Sequence, residues 1–350
     1  MIKKSLNDKG HLTFKEVLKE LKTRPKPKFL WHGIKEKSFG LVFGPSKSGK
    51  TIFCENLAMK LAYGAKEFFG YELDGKPKKI LFVGLEEFWE NRAERNKIQY
   101  NTLNDVQKKL VDDNYMYQGL DFQSRILSDK DWTELKHLIK DSGAEVVFID
   151  SITRMNPGKL EDSSDAEKVM QRLRNICYDL GVTLICIHHT PKMYDKPLVM
   201  DSIKGSSVFA QESDFALGIN RTSKGVRYLK DIFFRYAPDD NEKVNEFSIS
   251  SETWLECYGD ADEGEILNRS DRRRVDDNRD KIIQYFDSNT CTAFETAQLV
   301  RHFTTSLTIK ERQVKYYLSE LVKEKKISNP KKGKYKSNKC SDDDEGKEEN

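Results

Sequence analysis

The sequence predicts an α/β fold in which a doubly wound, mostly parallel sheet is followed by a small, mainly helical domain. Three observations support this prediction. Short apolar runs recur in the first two thirds of the chain, helical patterns separate them, and the composition becomes strongly basic towards the C-terminus. Strands that are covered on both faces show such uninterrupted apolar runs, and the alternation of strands with helices is typical of parallel sheets.

Four apolar runs are predicted as parallel strands: SFGLVFG (38–44), KILFVGL (79–85), AEVVFID (144–150) and VTLICIHH (182–189). The segment between the last two runs reads as a helix, because Val169, Leu173 and Ile176 fall on one face and Gly181 provides a stop. After residue 214 three strands follow one another directly, and we expect them to extend the sheet as hairpins.

The last third of the chain predicts a second domain. Three helical patterns, at 278–289, 293–303 and 308–326, precede a short strand, a turn and a strand over 327–336. Three helices followed by a basic hairpin are typical of a winged helix. The predicted organisation is an N-terminal extension (1–28), the α/β domain (29–258), a linker (259–276), the winged helix (277–338) and an acidic disordered tail (339–350).

Composition restricts the class of protein. Apolar residues make up 37% of the 350 residues, which is enough for a sizeable core. The six cysteines form no C-x-x-C pair, a usage that suits a reduced cytosol and argues against structural zinc. There is no apolar signal segment and no stretch long enough to cross a membrane. We therefore expect a cytoplasmic protein with no membrane partner.

Charge is distributed unevenly along the chain. The whole chain carries a formal net charge of +3, whereas residues 269–339 hold 18 Lys and Arg against 9 Asp and Glu. The last ten residues, 341–350, hold six acids and one lysine. Because excess positive charge attracts nucleic acid, the predicted winged helix is where we expect such a partner to bind.

A phosphate-binding motif joins the first predicted strand to the helix that follows it. The match to G-x-x-x-x-G-K-[ST] is complete, with Gly44, Pro45, Ser46, Lys47, Ser48, Gly49, Lys50 and Thr51. Such a loop turns its backbone amides inward on phosphates, and the helix N-terminus adds partial positive charge. The motif predicts a bound nucleoside triphosphate, with Lys50 on the β- and γ-phosphates and Thr51 on Mg²⁺.

Polar residues at the ends of the other strands are candidates for the remaining chemistry. Asp150 closes the third run and is predicted as the second magnesium ligand, although an aspartate in this place can also cap a helix. Glu86, rather than Glu87, is predicted to orient the attacking water. The alternative is that both acids begin the next helix, where they suit its dipole. At the end of the fourth run we favour His189 over His188 as the residue that contacts the γ-phosphate.

These elements resemble the RecA/DnaB superfamily, in particular RepA-type plasmid replicative helicases and related ATPases of mobile elements. The resemblance spans residues 29–250, and it rests on the following segments: GPSKSGKT, LFVGLEE, VVFIDSITRM, LICIHHTPK and IKGSSVFAQESDFALGINR. It implies a ring-forming ATPase with sites between subunits. In that setting Glu86 corresponds to the catalytic glutamate, Asp150 to the second magnesium motif and His189 to the γ-phosphate sensor.

The resemblance also implies ATP as the nucleotide, which agrees with the absence of an N-K-x-D guanine-specificity tetrapeptide. It further implies a basic finger donated by the neighbouring subunit. Arg235 is the predicted finger, with Lys230 and Lys204 as other candidates. The chain departs from the family pattern here, because no K-x-R pair ends a strand.

Two regions are predicted to contact DNA. In the rings of this superfamily the loops after the third and fourth strands, here 156–165 and 191–205, face the central hole. The second loop carries Lys192 and Lys204 and suits single-stranded DNA, although a solvated mobile loop explains the same lysines. In the winged helix the following residues are predicted to contact nucleic acid: Lys310, Arg312, Lys315, Lys332 and Lys334. Winged helices also serve as protein adaptors, and that alternative stays open.

The sequence therefore favours an ATP-hydrolysing oligomer that acts on nucleic acid, and a ring is one form that this oligomer can take. A second hypothesis is an ATP-gated switch or loader, which oligomerises, hydrolyses slowly and recruits DNA or a protein through the winged helix without unwinding. A DNA-binding protein without nucleotide is disfavoured because the phosphate loop would have no purpose.

Overall fold

A computed structural model gives the fold of the protein. It describes residues 11–23, 26, 28–122, 124–155, 163–193, 195–203, 206–239, 242–268, 274–290, 292–307, 311–331 and 333–338. Within these residues the chain divides into two compact units, Met1–Arg269 and Ser270–Asn350. Each unit is described by itself below.

Thirteen strands are seen among the described residues of the first unit. They are β1 Phe29–Trp31, β2 Ile34–Lys35, β3 Phe39–Gly44, β4 Glu67–Phe68, β5 Tyr71–Glu72, β6 Ile80–Gly84, β7 Tyr115–Tyr117, β8 Val146–Asp150, β9 Thr183–His189, β10 Phe215–Arg221, β11 Arg227–Phe234, β12 Lys243–Ile249 and β13 Leu255–Asp262. The four apolar runs are confirmed as β3, β6, β8 and β9.

Nine of these strands form one sheet in the order β13-β12-β11-β10-β3-β9-β8-β6-β7. Strands β10, β3, β9, β8, β6 and β7 are parallel to one another, whereas β11, β12 and β13 continue the sheet from β10 as antiparallel hairpin strands. The predicted mostly parallel sheet with a hairpin extension is therefore confirmed. The strand order is not encoded in any local sequence pattern, and β9 lies between β3 and β8.

The described helices of the first unit are α1 Phe14–Thr23, α2 Lys50–Tyr63, α3 Trp89–Asn101, α4 Asp105–Asn114, α5 Asp129–Ser142, α6 Ser163–Leu180, α7 Ser206–Glu212 and α8 Glu263–Asn268. Two apolar clusters lie between the sheet and the helices that pack on it. One contains Leu135 of α5 and Leu173 of α6, and the other contains Leu57 of α2 and Val111 of α4. Helices thus cover both faces of the sheet, as a doubly wound fold requires.

The linker predicted over 259–276 begins too early. Strand β13 continues through residue 259 as far as Asp262, where it pairs with Lys243 of β12. Helix α8 then follows, and its Ile266 is 1% exposed in the core. The polar composition misled the prediction, because β13 is an edge strand whose outward side chains are charged. Residues 269–273 lie outside the described residues.

Helix α1 is amphipathic but buries none of its side chains. Its N-terminus is capped by Thr13, whose main-chain amide and hydroxyl both donate to the Glu16 carboxylate at 2.7 Å. Phe14 and Leu21 are among its exposed apolar residues. Across the part of the chain that the structure describes, no helix is both long enough and apolar enough to cross a membrane.

The second unit contains three described helices and a small sheet. Its elements are α9 Arg274–Asp287, β14 Phe294–Glu295, α10 Thr296–Ser306, α11 Glu311–Lys323, β15 Ile327–Lys331 and β16 Lys334–Ser337. The three strands are antiparallel, with β16 in the middle. The apolar face of α11 is buried, and it contains Val314, Tyr317, Leu318 and Leu321.

Candidate functional site

The predicted phosphate loop joins β3 to α2. Gly44 ends the strand with φ +152°, and a Cβ at this position would lie 1.9 Å from the carbonyl oxygen of Ile219. Only glycine permits this close approach of β10 to the loop. Gly49 precedes the helix with φ +111°, a backbone conformation that other residues rarely adopt. The loop therefore folds at the two glycines that define the motif.

Lys50 lies inside this loop and is 4% exposed. Its Nζ donates to the carbonyl oxygens of Gly44, at 2.9 Å, and of Pro45, at 2.7 Å. Burial lowers the pKa of the Lys50 ammonium group to about 8, although Asp150 and Glu86 oppose this shift. The ammonium group is thus placed at the centre of the loop, where a phosphate would give it a stronger partner.

Thr51 and Asp150 form the predicted magnesium pair. The Thr51 hydroxyl donates to Oδ2 of Asp150 at 2.7 Å, although the two residues are 99 positions apart. Burial raises the pKa of Asp150, and the hydrogen bond from Thr51 opposes this shift. Mg²⁺ prefers oxygen ligands and is usually held by few protein groups. A hydroxyl and a buried carboxylate in contact fit this donor set, so these two side chains would hold the ion.

Glu86 follows β6 and points towards the same edge of the sheet. Its Oε1 accepts hydrogen bonds from Ser151, at 2.5 Å, and from Thr153, at 2.6 Å. Its Oε2 lies 2.9 Å from Nε2 of His189. Burial alone would raise the pKa of Glu86, but the hydrogen bonds from His189, Ser151 and Thr153 outweigh it and lower the pKa to about 2. Glu86 is therefore a carboxylate at neutral pH.

The two histidines at the end of β9 have different surroundings. His188 is 4% exposed and stacks on Phe209, with ring centroids 4.7 Å apart. Burial lowers the pKa of His188 to about 3, so the ring is neutral. The side chain of His189 is 29% exposed and faces Glu86. The preference for His189 as the site residue is consistent with this arrangement.

Glu86 and Glu87 both precede helix α3, which begins at Trp89. Neither acid lies in the first helical turn, so the alternative in which they merely begin that helix does not describe their position. The Glu87 carboxylate is held by Arg95, whose Nη2 lies 2.7 Å from Oε2 of Glu87 and 2.6 Å from Oε1 of Glu55 on α2. This ion pair ties the turn after β6 to the helix of the phosphate loop.

A cavity of about 510 Å³ brings these groups together, a volume in the usual range for small-molecule sites. Its lining includes Lys50, Thr51, Glu86, Asp150 and His189. The geometry follows from the sheet order, since β3, β9, β8 and β6 are adjacent and their carboxyl ends share one edge. Ligands of open α/β sheets bind at this edge.

The cavity wall also contains residues that the sequence analysis missed. Arg95 and Asn91 come from α3, and Arg227 comes from the start of β11. Among the described residues, Nε of Arg227 has no hydrogen-bond partner although it is buried. The only sequence signal for Arg227 was a cation at the start of a hairpin strand, which does not distinguish a site residue from a surface one.

Comparison with known families agrees with this geometry. The AAA domain family matches residues 9–195, which is more than half of the chain. The chain belongs to the AAA domain family. Membership indicates a P-loop ATPase domain and implies that the chain binds a nucleotide.

One solved structure supports the fold assignment of this AAA domain. The chain is similar to "ATPase Domain of G40P", with a TM-score of 0.51 and 13% identity over 68% of this chain and 94% of that one. It is also similar to the KaiC-like protein PH0186 from Pyrococcus horikoshii OT3, with a TM-score of 0.45 and 17% identity over 64% of this chain and 91% of that one. A search of curated proteins found no match.

Two candidates for the finger, Arg235 and Lys230, are not among the described residues that line the cavity of this AAA domain. Arg235 follows β11, and its Nη2 donates to the carbonyl oxygens of Gln211, at 3.1 Å, and Ser213, at 3.0 Å. Its Nε also lies 3.2 Å from the Asp214 carboxylate. The role of Arg235 towards a neighbouring copy stays a prediction.

Lys230 is unsuited to a finger role because it is 7% exposed. Its ammonium group contacts the Glu263 carboxylate and donates to the carbonyl oxygen of Leu198 at 3.0 Å. That candidate is therefore withdrawn. Lys204, the third candidate, lies outside the described residues.

The structure places the predicted nucleic-acid residues only in part. Lys192, Lys315 and Lys334 are exposed. Lys315 forms an ion pair with Glu311 one helical turn away, at 2.6 Å. Lys310 and Lys332 lie outside the described residues, and so does the side chain of Arg312. Their contact with nucleic acid stays a prediction.

Proposed function

We propose that this chain is a magnesium-dependent ATPase that works as an oligomeric, RecA-like motor on nucleic acid, in the manner of RepA-type replicative helicases. One observation carries the proposal. Lys50, the Thr51–Asp150 pair and Glu86 line a single cavity at the carboxyl edge of the sheet. These are the side chains that phosphoryl transfer needs to bind, orient and neutralise a triphosphate.

Binding of ATP uses the phosphate loop. The backbone N–H groups of the loop, which Pro45 lacks, would surround the phosphates, and the Lys50 ammonium group would exchange its two carbonyl partners for the β- and γ-phosphates. Thr51 and Asp150 would hold Mg²⁺, which when bound would offset the negative charge of the phosphates. Because Lys50 is buried, its charge acts with little screening by water.

Hydrolysis uses the acid at the end of β6. The Glu86 carboxylate orients a water molecule towards the γ-phosphorus. The water oxygen forms a bond to phosphorus while the bond from phosphorus to the β,γ-bridging oxygen breaks, which gives ADP, inorganic phosphate and a proton. His189 contacts Glu86 through Nε2 and is placed to exchange this partner for a γ-phosphate oxygen. Its neighbour His188 is buried against Phe209 and takes no part.

Nucleic acid is the proposed partner of the second unit. Three helices and a two-stranded hairpin, β15 and β16, follow the chain order of a winged helix. The exposed Lys315 lies on α11 and Lys334 lies on the hairpin, so both fit the pattern of phosphate contacts beside a recognition helix. In the first unit Lys192, with Lys204, is proposed to contact single-stranded DNA.

One observation favours the second candidate function, an ATP-gated switch or loader with slow hydrolysis. Lys230 is buried against Glu263, and the guanidinium of Arg235 already donates to two carbonyls of its own chain. A motor of this superfamily needs a finger from the neighbouring copy to hydrolyse ATP quickly. Arg235→Ala separates the two cases, because it lowers hydrolysis in the assembled motor and leaves the slow switch unchanged.

The proposal is tested by ATP hydrolysis and by size. Wild-type protein and Lys50→Ala are assayed with and without a single-stranded oligonucleotide, and their mass is measured with a nonhydrolysable ATP analogue. The motor predicts hydrolysis that is stimulated by the oligonucleotide, assembly with the analogue, and loss of hydrolysis in Lys50→Ala. Hydrolysis without stimulation and without strand displacement supports the switch, and no hydrolysis in any state contradicts the proposed enzyme.

A further inference from the structure

The Glu86 carboxylate forms hydrogen bonds with three side chains. A carboxylate has about four acceptor positions. Two hydroxyls occupy Oε1, Ser151 at 2.5 Å and Thr153 at 2.6 Å, and Nε2 of His189 occupies one position of Oε2 at 2.9 Å. Because an ionised carboxylate only accepts hydrogen bonds, Nε2 of His189 is the donor. About one acceptor position therefore remains, on the oxygen that His189 also contacts.

Both hydroxyls come from the turn that directly follows Asp150. This turn is a short 3-10 helix over Ile152–Arg154, and Ile152 and Met155 are fully buried in the core. The main-chain amide of Ile126 donates to the carbonyl oxygen of Arg154 at 3.0 Å. The turn is therefore anchored at both ends, and the hydroxyls are fixed in position relative to Asp150.

We propose that Ser151 and Thr153 are positioning residues, which hold Glu86 so that its one remaining acceptor faces the reacting water. The inference rests on the proposed ATPase function and names residues that are not part of the phosphate loop or the strand-end acids. The orientation of the Glu86 carboxylate matters because a displacement of about 1 Å at a reacting group can lower the rate about 100-fold.

Counting protons predicts how the two hydroxyls share this role. The Ser151 and Thr153 oxygens lie 2.5 Å apart, and each also contacts Oε1 of Glu86. These three oxygens form three contacts, but the two hydroxyls supply only two protons. One of the three contacts therefore has no hydrogen bond at any moment. When one hydroxyl is removed, the other still donates fully to Glu86. Each single substitution is therefore expected to lower the logarithm of the hydrolysis rate by less than half as much as the double substitution does.

The experiment compares Ser151→Ala, Thr153→Val and their double variant in the full chain. Single-turnover hydrolysis gives the chemical rate, and titration with a nonhydrolysable ATP analogue and Mg²⁺ gives the affinity. The double variant is expected to lose about 10- to 100-fold in rate while its affinity changes less than about twofold. The variant Ser151→Ala/Thr153→Ser carries one hydroxyl, whereas the double variant Ser151→Ala/Thr153→Val carries none. It is expected to recover most of the rate that the double variant loses.

The matched control is Thr133→Val, because the Thr133 hydroxyl donates to the carbonyl oxygen of Asp129 on α5 and lies away from the cavity. It is expected to hydrolyse ATP like the wild type. An unchanged rate in the double variant, or equal losses of rate and affinity without recovery by Thr153→Ser, overturns the positioning role. If the wild type itself does not hydrolyse ATP, the proposed function fails instead, so the two failures are distinct.

Discussion

The parallel and antiparallel halves of the large sheet place charged side chains in different settings. At the carboxyl edge of β3, β9, β8 and β6, Lys50, Glu86 and Asp150 converge on one open cavity. In the antiparallel half, Lys230 and Glu263 are buried against each other. The comparison teaches that position relative to the strand ends, and not charge alone, marks a residue for chemistry.

The largest effect that sharpens this comparison is expected at Glu86. Glu86→Gln keeps the size of the side chain but removes the charge that orients water. We expect ATP hydrolysis to fall about 10²- to 10⁴-fold, while the dissociation constant for Mg-ATP changes little. Single-turnover kinetics and calorimetric titration measure the two quantities. Glu94→Gln, on the exposed face of α3, is the control and keeps the wild-type rate; equal rates for both variants would break the comparison.

A smaller effect, on stability, is expected in the antiparallel half. Glu263 accepts hydrogen bonds from the Leu198 amide, at 2.9 Å, and the Tyr228 hydroxyl, at 2.8 Å, and it contacts Lys230. Glu263→Gln leaves the buried ammonium group without a counter-charge, so the free energy of unfolding of the first unit is expected to fall by about 3 kcal/mol. Denaturant titration measures this loss.

The control for this prediction is the double variant Lys230→Met/Glu263→Gln, which removes both charges, keeps an acceptor for the Leu198 amide and the Tyr228 hydroxyl, and is expected to regain most of the stability. Mg-ATP affinity is expected to match the wild type in every folded variant. A variant of normal stability that has lost hydrolysis would show that Lys230 acts in the reaction and not in the fold.

The smallest effect concerns His188, which is buried against Phe209. Its pKa in the folded protein is about 3, below the ordinary value of 6.5, because burial disfavours the charged ring. The unfolded chain therefore binds this proton first, and stability is lost as the pH falls from 6.5 towards 3. His188→Phe removes that loss, which amounts to at most about 1.4 kcal/mol per pH unit.

Urea titrations of both proteins at pH 7.5 and pH 5 measure the effect. The stability of His188→Phe relative to the wild type is expected to be greater at pH 5 than at pH 7.5. An equal difference at the two values would mean that His188 is not held neutral, and the distinction between His188 and His189 would then lose its physical basis.

The sequence predicted the site best where local pattern and strand ends coincide. The phosphate-loop motif predicted Lys50 and Thr51 as site residues, an aspartate closing an apolar run predicted Asp150, and all three line one cavity. The contact between Thr51 and Asp150 follows from the strand order, which no local pattern encodes. The same limit applied to the linker, since the charged edge strand β13 has the composition of a loop.

Residues that reach the cavity from distant elements could not be predicted. Arg95 on α3 and Arg227 on β11 have no motif, and only the folded sheet brings them to the phosphate loop. Lys230 is the opposite case, since a functional role was predicted for a residue that is buried in an ion pair. Its charge attracted a functional interpretation, but the sequence does not reveal that Glu263, 33 positions later, is its buried partner.

The central claim is that one cavity binds Mg-ATP between the phosphate loop and Asp150. Isothermal titration of the wild type, Lys50→Ala and Asp150→Asn with Mg-ATP tests it most directly. The account predicts one bound nucleotide per chain in the wild type, and an affinity at least about 100-fold weaker in Lys50→Ala, because a charge-assisted contact to phosphate is lost. Absence of binding in the wild type, or equal binding in all three proteins, would contradict it.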